Sequence, residues 1–459
     1  MTSTKFSALP ISKSILHNLE GIGLKQMTPI QSQALPHILK NRDVIAQAKT
    51  GSGKTAAFGI GLLNRLNRKN FRVQSIVICP TRELADQVAK ELRRLARLTD
   101  NVKILTLSGG VPFGPQQGSL RHGAHVVVGT PGRILKHIAK NSLTLDTLET
   151  LVLDEADRML DMGFIEEISK IISHTPERRQ TLLFSATYPE EIMELSNTIQ
   201  KSAIHIHTTS SEKANPITEY FYEVSPDNKG SALIQLLSHH KPDSAIIFSN
   251  TKIKTETIAN TLRNKGIAAM ALHGDLEQYQ RTDVLVQFSN HSCSVLIATD
   301  VAARGLDIKE LGMVVNYDLP HDEETYIHRI GRTGRAGSEG VATTLFTPSE
   351  AMKADTYNNT NRLFENIKTS SGTDVTSLTS KNLTLMVNGG KKEKIRPGDL
   401  LGALTGEAGI AGSSVGKIDI HDHQSYVAIA RDSIDKACSR LKNGKIKGRK
   451  FSVRILPQA

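Results

Sequence analysis

The sequence predicts an α/β fold with two tandem parallel-sheet domains, followed by a small α+β domain at the C-terminal end. Three observations predict it. Short apolar runs alternate with helical stretches over about the first 205 residues, the alternation restarts after Asn215–Pro216, and the last part of the chain has a β-α-β-β-α-β order. The length of 459 residues agrees with about three domains.

In the first domain, apolar runs predict buried strands, and the longer amphipathic stretches Thr81–Leu98 and Phe164–Ser173 predict helices. Alternating strands and helices form a parallel sheet with right-handed crossovers, which binds ligands beyond the carboxyl ends of its strands. The predicted strands are Val44–Ala46, Ser75–Cys79, Ile104–Leu107, His125–Val128, Leu151–Leu153 and Thr181–Phe184.

Two motifs come directly after predicted strands. Residues 48–55 read Ala-Lys-Thr-Gly-Ser-Gly-Lys-Thr, and residues 154–157 read Asp-Glu-Ala-Asp. The Gly-rich turn can wrap phosphate oxygens with backbone N–H groups, the first carboxylate can hold Mg²⁺, and the second can polarise a water. Ala48 departs from the usual Gly, so a chance Gly-rich turn opening a helix is the alternative. The carboxylates make a nucleoside triphosphatase the better interpretation.

The second half predicts another α/β domain without a phosphate loop of its own, so we expect it to complete the first domain's site. The polar stretch Lys368–Ser380 has the composition of a linker. We therefore divide the chain into domains at 1–207 and 208–368, a linker at 369–380 and a last domain at 381–459. Strands of the second half are predicted at Ala245–Phe248, Ala268–Leu272, Ser294–Ala298, Met313–Tyr317 and Val341–Phe346.

Charge is concentrated at the C-terminal end. The whole chain has a net charge of +11, and residues 381–459 carry 15 Lys and Arg against 7 Asp and Glu. This predicts a polyanionic partner, nucleic acid before membrane, with a merely soluble basic face as the alternative. No apolar run approaches the ~18 residues of a membrane span. Cysteines stand far apart at Cys79, Cys293 and Cys438, which predicts no disulfide framework and a cytoplasmic location.

Taken in chain order over almost all of residues 1–350, these motifs resemble the DEAD-box family of ATP-dependent RNA helicases. The resemblance implies two RecA-like domains, ATP and Mg²⁺ as cofactors, and RNA as the partner. It also implies that Phe6 and the amide of Gln31 read adenine, since an amide both donates and accepts. The other nucleotide-binding residues it implies are Ala48, Lys49, Thr50, Gly51, Ser52, Gly53, Lys54, Thr55 and Asp307.

The resemblance also implies catalytic roles. Lys54 would pair with the β- and γ-phosphates, Thr55 and Asp154 would orient Mg²⁺, and Glu155 would position and deprotonate the attacking water. Arg332 and Arg335 would be arginine fingers that meet the γ-phosphate from the second domain, an effect worth ~10³–10⁵ in rate. A basic loop making surface salt bridges is the alternative for this segment.

Further residues are implied to contact RNA through phosphate and ribose, or to link the ATP state to strand separation. Read singly, the Thr-Pro-Gly-Arg at 130–133 is an ordinary turn into a helix, and the hydroxyls at 185–187 are a helix cap. The implied RNA contacts are Pro80, Thr81, Arg82, Gly110, Thr130, Gly132, Arg133, Thr251, Arg281 and Thr299, and the implied coupling residues are Ser185, Thr187 and His328.

The last domain predicts an RNA-recognition-motif-like fold. Its aromatic signature is poor, so Tyr426 either stacks on bases or only packs at the sheet. The predicted strands are Leu383–Val387, Val415–Ile420, Tyr426–Ala430 and Phe451–Leu456, and the predicted helices are Pro397–Leu404 and Ser433–Lys442. Two basic clusters supply the predicted RNA contacts Lys392, Lys445, Lys447 and Arg449, with a solvated basic face as the alternative.

This tail resembles that of a bacterial DEAD-box subfamily, which implies a hairpin of 23S rRNA and large-subunit assembly intermediates as partners. The function predicted is therefore local, ATP-dependent unwinding of rRNA duplexes during large-subunit assembly. The alternatives are a general RNA helicase or remodeller of mRNA or other RNA, a DNA helicase or translocase, and a non-enzymatic RNA clamp or chaperone.

Overall fold

The computed structural model describes residues 4–48, 51–208, 217–303, 311–334, 340–357, 362–365, 378–406 and 409–457, without the side chains of residues 324 and 362–365. The first domain contains the strands β1 (Val44–Gln47), β2 (Ser75–Ile78), β3 (Ile104–Leu107), β4 (Val126–Gly129), β5 (Thr150–Asp154), β6 (Gln180–Ser185) and β7 (Ile204–His207). Its helices are α1 (Lys13–Gly21), α2 (Pro29–Ile38), α3 (Lys54–Arg65), α4 (Arg82–Leu95), α5 (Phe113–Arg121), α6 (Pro131–Ala139), α7 (Ala156–Asp161), α8 (Ile165–Ile172) and α9 (Glu190–Ile199).

These strands form one sheet in the order β3-β4-β2-β5-β6-β1-β7, and every recorded pairing is parallel. Both faces of the sheet are covered, which is why the inner strands are continuous apolar runs. Along β1, Val44 and Ala46 face one apolar core while Ile45 faces another. The sequence reading missed β7, because its Ile-His-Ile-His pattern at the sheet edge is only half apolar.

The second domain repeats this architecture, and the strands among its described residues lie in the order β10-β11-β9-β12-β13-β8-β14. Its strands are β8 (Ile217–Glu223), β9 (Ala245–Phe248), β10 (Ala269–Leu272), β11 (Val295–Ala298), β12 (Met313–Asn316), β13 (Gly340–Phe346) and β14 (Arg362–Glu365). Its helices are α10 (Lys229–His240), α11 (Lys252–Arg263), α12 (Gln278–Ser289), α13 (Asp300–Ala303), α14 (Glu323–Ile330) and α15 (Ala351–Thr356). Strands β8 and β14 were missed because polar residues interrupt both of them.

The C-terminal domain has the β-α-β-β-α-β order that the sequence predicts. Its elements are β15 (Asn382–Val387), α16 (Pro397–Thr405), β16 (Val415–Ile420), β17 (Ser425–Ala430), α17 (Ile434–Asn443) and β18 (Val453–Ile455). The strands pair antiparallel in the order β16-β17-β15-β18. The predicted fold class of two parallel-sheet domains and a small α+β domain is therefore confirmed.

One face of this small sheet packs against helix α12 of the second domain. Val286 of α12 lies in an apolar cluster with Met386, Tyr426 and Leu456. The Tyr426 hydroxyl donates to Asp283 Oδ1 at 3.0 Å, and burial is the main reason why the pKa of Tyr426 is raised. Of the two alternatives for Tyr426, packing at the sheet is the one observed, because only 1% of the residue is exposed.

Among the residues that the structure describes, no helix combines the length and the apolar character needed to cross a bilayer.

Candidate functional site

The order of the strands places the predicted nucleotide-binding motifs beside the predicted RNA-binding motifs. Both sets lie where the strands of the first sheet have their carboxyl ends, and we call this end of the sheet the edge. Strands β5, β6 and β1 are neighbours, and the two polar motifs and Ser185-Ala186-Thr187 follow their carboxyl ends. Strands β3, β4 and β2 are neighbours on the other half, and the implied RNA contacts follow theirs. We call these the nucleotide half and the RNA half of the edge, after the roles that the sequence predicts for their residues.

The loop after β1 has the backbone that a phosphate loop requires. Gly53 has φ 93° and Gly51 has φ 86°, backbone angles that residues with a side chain rarely adopt. A Cβ at Gly53 would also lie 2.5 Å from Gln31 Nε2. The hydroxyl of Ser52 is buried without a hydrogen-bond partner among the described residues, as expected of a group that awaits an anion. Lys49 and Thr50 lie outside the described residues.

Lys54 and Asp154 are both buried at this edge, and their charges influence each other. Lys54 Nζ donates to the carbonyl of Ala48 at 2.7 Å, and both residues are buried, with Asp154 only 3% exposed. Burial raises the pKa of Asp154 to about 7; Lys54 opposes the shift and Glu155 adds to it. Thr55 is half-buried at the start of α3. A hydroxyl and a buried carboxylate are oxygen ligands of the kind that Mg²⁺ prefers.

Glu155 occupies an unusual backbone position. It has φ 55° and ψ 55°, left-handed values that are uncommon for a residue other than glycine. This conformation turns the chain sharply between β5 and α7 and leaves Glu155 half-buried while Asp154 stays inside. Left-handed conformations of this kind concentrate at functional sites.

The last carboxylate of the Asp-Glu-Ala-Asp motif has a partner that the sequence analysis did not assign. Asp157 Oδ2 accepts hydrogen bonds from the backbone N–H groups of Ala186 at 3.0 Å and Thr187 at 2.9 Å. The backbone N–H of Asp157 in turn donates to Ser185 Oγ at 3.2 Å. The Asp-Glu-Ala-Asp motif could have drawn attention to Asp157, because it contains this carboxylate. The contact with residues 185–187 is visible only in the structure, where β5 and β6 are adjacent.

The residues implied to read adenine lie inside the domain. Phe6 is 4% exposed and belongs to the core. Gln31 accepts from the backbone N–H of Thr28 at 3.0 Å and donates to the carbonyl of Gly53 at 3.1 Å. The Gln31 amide therefore fastens the upstream segment to the phosphate loop, and adenine recognition by Phe6 and Gln31 stays a prediction.

In the RNA half of the edge, two guanidinium groups line the ends of the strands. Arg82 lies against the backbone of Gly109, since a Cβ there would be 3.0 Å from Arg82 Nη2. Arg133 donates to Gln116 Oε1 at 2.7 Å and to the carbonyl of Val111 at 3.0 Å. Burial, with the nearby Arg82 charge second, lowers the pKa of Arg133.

Other residues implied to contact RNA in this half have small or committed side chains. The Thr81 hydroxyl caps α4 by accepting from Leu84 N–H at 3.2 Å, so the helix-cap function is present at this position. Nothing lies within 4 Å of a Cβ built on Gly132, which leaves its backbone open to a close approach. The structure brings the predicted set Pro80, Thr81, Arg82, Gly110, Thr130, Gly132 and Arg133 to the ends of β2, β3 and β4.

The second domain also gathers its predicted residues at the carboxyl ends of strands. Thr251 follows β9 and caps α11, and Thr299 follows β11. Arg281 donates hydrogen bonds to the backbone carbonyls of His273 and Ala302, each at 3.4 Å. The coupling candidate His328 lies on α14, and Arg332 follows that helix. Two predicted residues of this half, Asp307 and Arg335, lie outside the described residues.

In the C-terminal domain the two basic clusters become one surface. Lys447 Nζ donates to the carbonyl of Lys394 at 3.2 Å, which joins the loop after β15 to the loop before β18. Lys447 and Gly448 have positive φ values of 51° and 77°, and Ile446 and Arg449 exchange backbone hydrogen bonds across them. We define the basic surface as the exposed residues Lys391, Lys392, Lys394, Arg396, Lys445, Lys447, Arg449 and Lys450.

Comparison with known protein families agrees with this arrangement along most of the chain. Residues 28–195 match the DEAD/DEAH box helicase family, and residues 228–337 match the helicase conserved C-terminal domain. Residues 384–455 match the DbpA RNA binding domain. The chain therefore belongs to the DEAD-box ATP-dependent RNA helicases, which are RNA-dependent ATPases. More particularly, it is a DEAD-box helicase with a DbpA-type RNA-binding domain.

Individual relatives support both the family and the type of C-terminal domain. The ATP-dependent RNA helicase DbpA of Escherichia coli (strain K12) is 50% identical over 455 residues, which cover 99% of this chain and 100% of the relative. The DEAD-box ATP-dependent RNA helicase CshA of Bacillus cereus is 46% identical over 76% of this chain and 66% of its own length. The solved structure of S. cerevisiae Dbp5 bound to RNA and ADP BeF3 is similar with a TM-score of 0.73 and 31% identity, over 80% of this chain and 96% of that one.

Proposed function

We propose that this helicase locally unwinds rRNA duplexes during assembly of the large ribosomal subunit, and that its C-terminal domain targets it to a hairpin of 23S rRNA. The observation that carries this proposal is the basic surface, on a domain that matches the DbpA RNA binding domain. We also propose the domain limits 1–207, 208–368 and 381–459 with a linker between the last two. The three cysteines are free thiols, which supports a reducing, cytoplasmic compartment.

The nucleotide half of the edge supports the roles assigned to it. Lys54, released from the Ala48 carbonyl, would meet the β- and γ-phosphates. Thr55 and Asp154 would hold Mg²⁺, which when bound neutralises charge on the phosphate oxygens. Phosphate oxygens and water would complete the coordination, as at Mg²⁺ sites that have only one or two protein ligands. Glu155, half-buried beside Asp154, orients and deprotonates the water.

The RNA half supports contacts to the backbone of the RNA rather than to its bases. Guanidinium groups and exposed backbone are suited to phosphate and ribose, and carry no sequence information. Arg82 and Arg133 supply charge, while Gly110 and Gly132 permit a close approach. A site of this kind would accept many sequences, so sequence preference has to come from elsewhere in the chain.

The C-terminal domain is the source of preference that we propose. Its sheet face, which RNA-recognition motifs use for base stacking, is the face packed on α12. The RNA therefore meets the loops that form the basic surface, including the predicted contacts Lys392, Lys445, Lys447 and Arg449. These side chains are exposed, and phosphate contacts from them would release counterions.

The test compares paired substitutions on the full-length chain. Deletion of residues 381–459 would uncover Val286 and remove the partners of Asp283, so substitutions are the cleaner test. The variant Lys447→Ala with Arg449→Ala should lose preference for one 23S rRNA fragment in ATPase assays across rRNA fragments, by about tenfold or more. It should keep its maximal rate with excess generic RNA.

The matched control is Lys436→Ala with Lys442→Ala, which removes two exposed charges from α17 of the same domain. An equal fragment preference in all three proteins would reject the targeting proposal and favour a general RNA helicase. Stimulation by DNA as strong as by RNA would favour the DNA-translocase alternative. A chain that binds RNA without releasing phosphate would favour the clamp alternative.

A further inference from the structure

Arg329 is one of the largest fully buried side chains among the described residues, and the sequence analysis predicts no role for it. Only 1% of the residue is exposed. His328, a coupling candidate, precedes it on α14, and Arg332, a candidate arginine finger, lies just after the end of that helix. A buried charge of this kind is costly unless every donor is paired.

All five N–H donors of the Arg329 guanidinium have acceptors. Nε and Nη2 donate to the two oxygens of Asp300 at 2.7 and 2.8 Å. Nη2 also donates to Asn250 Oδ1 at 3.0 Å. Nη1 donates to Asn316 Oδ1 at 3.2 Å and to the carbonyl of Asp318 at 2.7 Å. Because all its donors are paired, Arg329 has none left to bind a phosphate. Its role therefore differs from the phosphate contact that is predicted for Arg332.

The acceptors come from three different strand ends. Asn250 follows β9 and precedes Thr251, while Asp300 follows β11 and Thr299; both threonines are proposed RNA contacts. Asn316 is the last residue of β12, and Asp318 follows that strand. The guanidinium also lies 5.1 Å from the centre of the Phe248 ring. One side chain thus ties the RNA-contacting loops to the helix that leads to Arg332.

A second set of contacts keeps these loops in place. Asp318 accepts from Ser249 Oγ at 3.0 Å, from Asn250 N–H at 3.0 Å and from Lys254 Nζ at 2.9 Å. Burial works against the charge of Asp318, but the bond from Asn250 and the Lys254 ammonium hold its pKa below its ordinary value. Two hydrogen bonds therefore hold Asn250: its side-chain oxygen accepts from Arg329, and its backbone N–H donates to Asp318.

We propose that Arg329 is a positioning residue that makes the RNA-contacting loops after β9 and β11 and the finger-bearing end of α14 move as one body. RNA bound to Thr251 and Thr299 would then fix the position from which Arg332 acts. The proposal rests on the proposed RNA contacts. A planar fork that bonds four residues at once has no equivalent in lysine, which offers three donors from a single point.

The test measures coupling rather than activity alone. In the full-length chain, the affinity for a non-hydrolysable ATP analogue is measured with and without single-stranded RNA, well below the melting temperature. Coupling factors between two ligands are typically about 5–150. The variant Arg329→Lys should bring the factor close to 1 and lower the RNA-stimulated kcat by about tenfold or more, while ATP affinity without RNA changes less than about twofold.

Two further proteins make the result decisive. Arg263→Lys, at a partly buried arginine that donates to the Ala269 carbonyl, should keep the coupling factor of the unmodified chain. Arg329→Ala should regain part of its coupling in millimolar guanidinium chloride but not in equal sodium chloride, because the ion fits the preformed acceptors. An unchanged coupling factor in Arg329→Lys would overturn the proposal, whether or not the melting temperature falls.

A failure of the underlying RNA contacts would look different. If Thr251→Ala with Thr299→Ala left both the RNA affinity and the coupling factor unchanged, the proposed RNA contacts would be wrong. Loss of coupling in Arg329→Lys beside an unchanged double-threonine variant would show that Arg329 couples through other contacts, and would also overturn the proposal as stated.

Discussion

Asp157 accepts hydrogen bonds from both the backbone N–H and the hydroxyl of Thr187, at 2.9 and 3.2 Å. Asp157 lies in the first turn of α7, directly after β5, and Thr187 lies in the loop after the neighbouring strand β6. If a change of nucleotide moves the segment that carries Asp157, these hydrogen bonds would therefore transmit the movement directly to Thr187. We propose this link as the physical basis for coupling within the first domain.

We expect Asp157→Asn to separate ATP hydrolysis from unwinding. The amide nitrogen would face backbone N–H donors that now meet a carboxylate, and a buried charge-assisted bond is worth about 1.5–3 kcal/mol. ATP binding should persist, whereas the number of duplexes opened per ATP should fall by about tenfold or more. Asp161→Asn, at a partly exposed ion pair with Arg158, is the matched control. Normal unwinding by Asp157→Asn would remove this link from the mechanism.

Glu155→Gln should abolish turnover while sparing binding. The amide keeps the size of the side chain but cannot take a proton, and general-base catalysis contributes about 10²–10⁴ in rate. Phosphate release with saturating RNA should fall by that order, with affinities for ATP and RNA within about threefold of the unmodified chain. Glu166→Gln, on the exposed face of α8, should retain full activity. RNA-stimulated turnover by Glu155→Gln at the normal rate would show that another group activates the water.

Gly53→Ala should damage the phosphate loop for two separate reasons. The residue has φ 93°, and its Cβ would lie 2.5 Å from Gln31 Nε2. Strained backbone of this kind costs about 1–3 kcal/mol. We expect a lower melting temperature and at least about tenfold weaker binding of a fluorescent ATP analogue. Gly230→Ala has open space around its Cβ and should bind the analogue normally. Unimpaired binding by Gly53→Ala would mean that the loop tolerates a side chain.

The first domain should lose stability in mild acid through His137. Burial, with Arg133 and Lys136 as lesser causes, lowers the pKa of His137 to about 4. The unfolded chain takes up this proton near pH 6.5 and the folded chain only near pH 4, so stability is full above pH 6.5 and falls between those values. We expect the melting temperature to drop by a few degrees more between pH 7 and pH 5 than in His137→Gln. Parallel curves would contradict this assignment.

Much of the fold followed from local patterns in the sequence. Apolar runs located the inner strands, because parallel strands covered on both faces are continuously apolar. Edge strands such as β7 were missed since their one-sided burial leaves polar residues in the run. The nucleotide half of the edge was predictable because its residues are consecutive in two short motifs.

Other parts of the site depend on contacts between distant segments. The acceptors of Arg329 lie 11 to 79 residues away along the chain, so no local pattern could show them. The position of Tyr426 was left open for the same reason, since its partner Asp283 is 143 residues away. Adenine reading by Gln31 stays a prediction, and its hydrogen bonds to Thr28 and Gly53 became visible only in the folded structure.

We propose that the nucleotide and RNA halves of one sheet edge act as a coupled site. This proposal is tested most directly by measuring RNA affinity with and without a non-hydrolysable ATP analogue, and analogue affinity with and without RNA. Thermodynamic linkage requires the two ratios to be equal, and we predict a common tightening of about fivefold or more. Affinities that are independent of the other ligand, in both directions, would contradict the account.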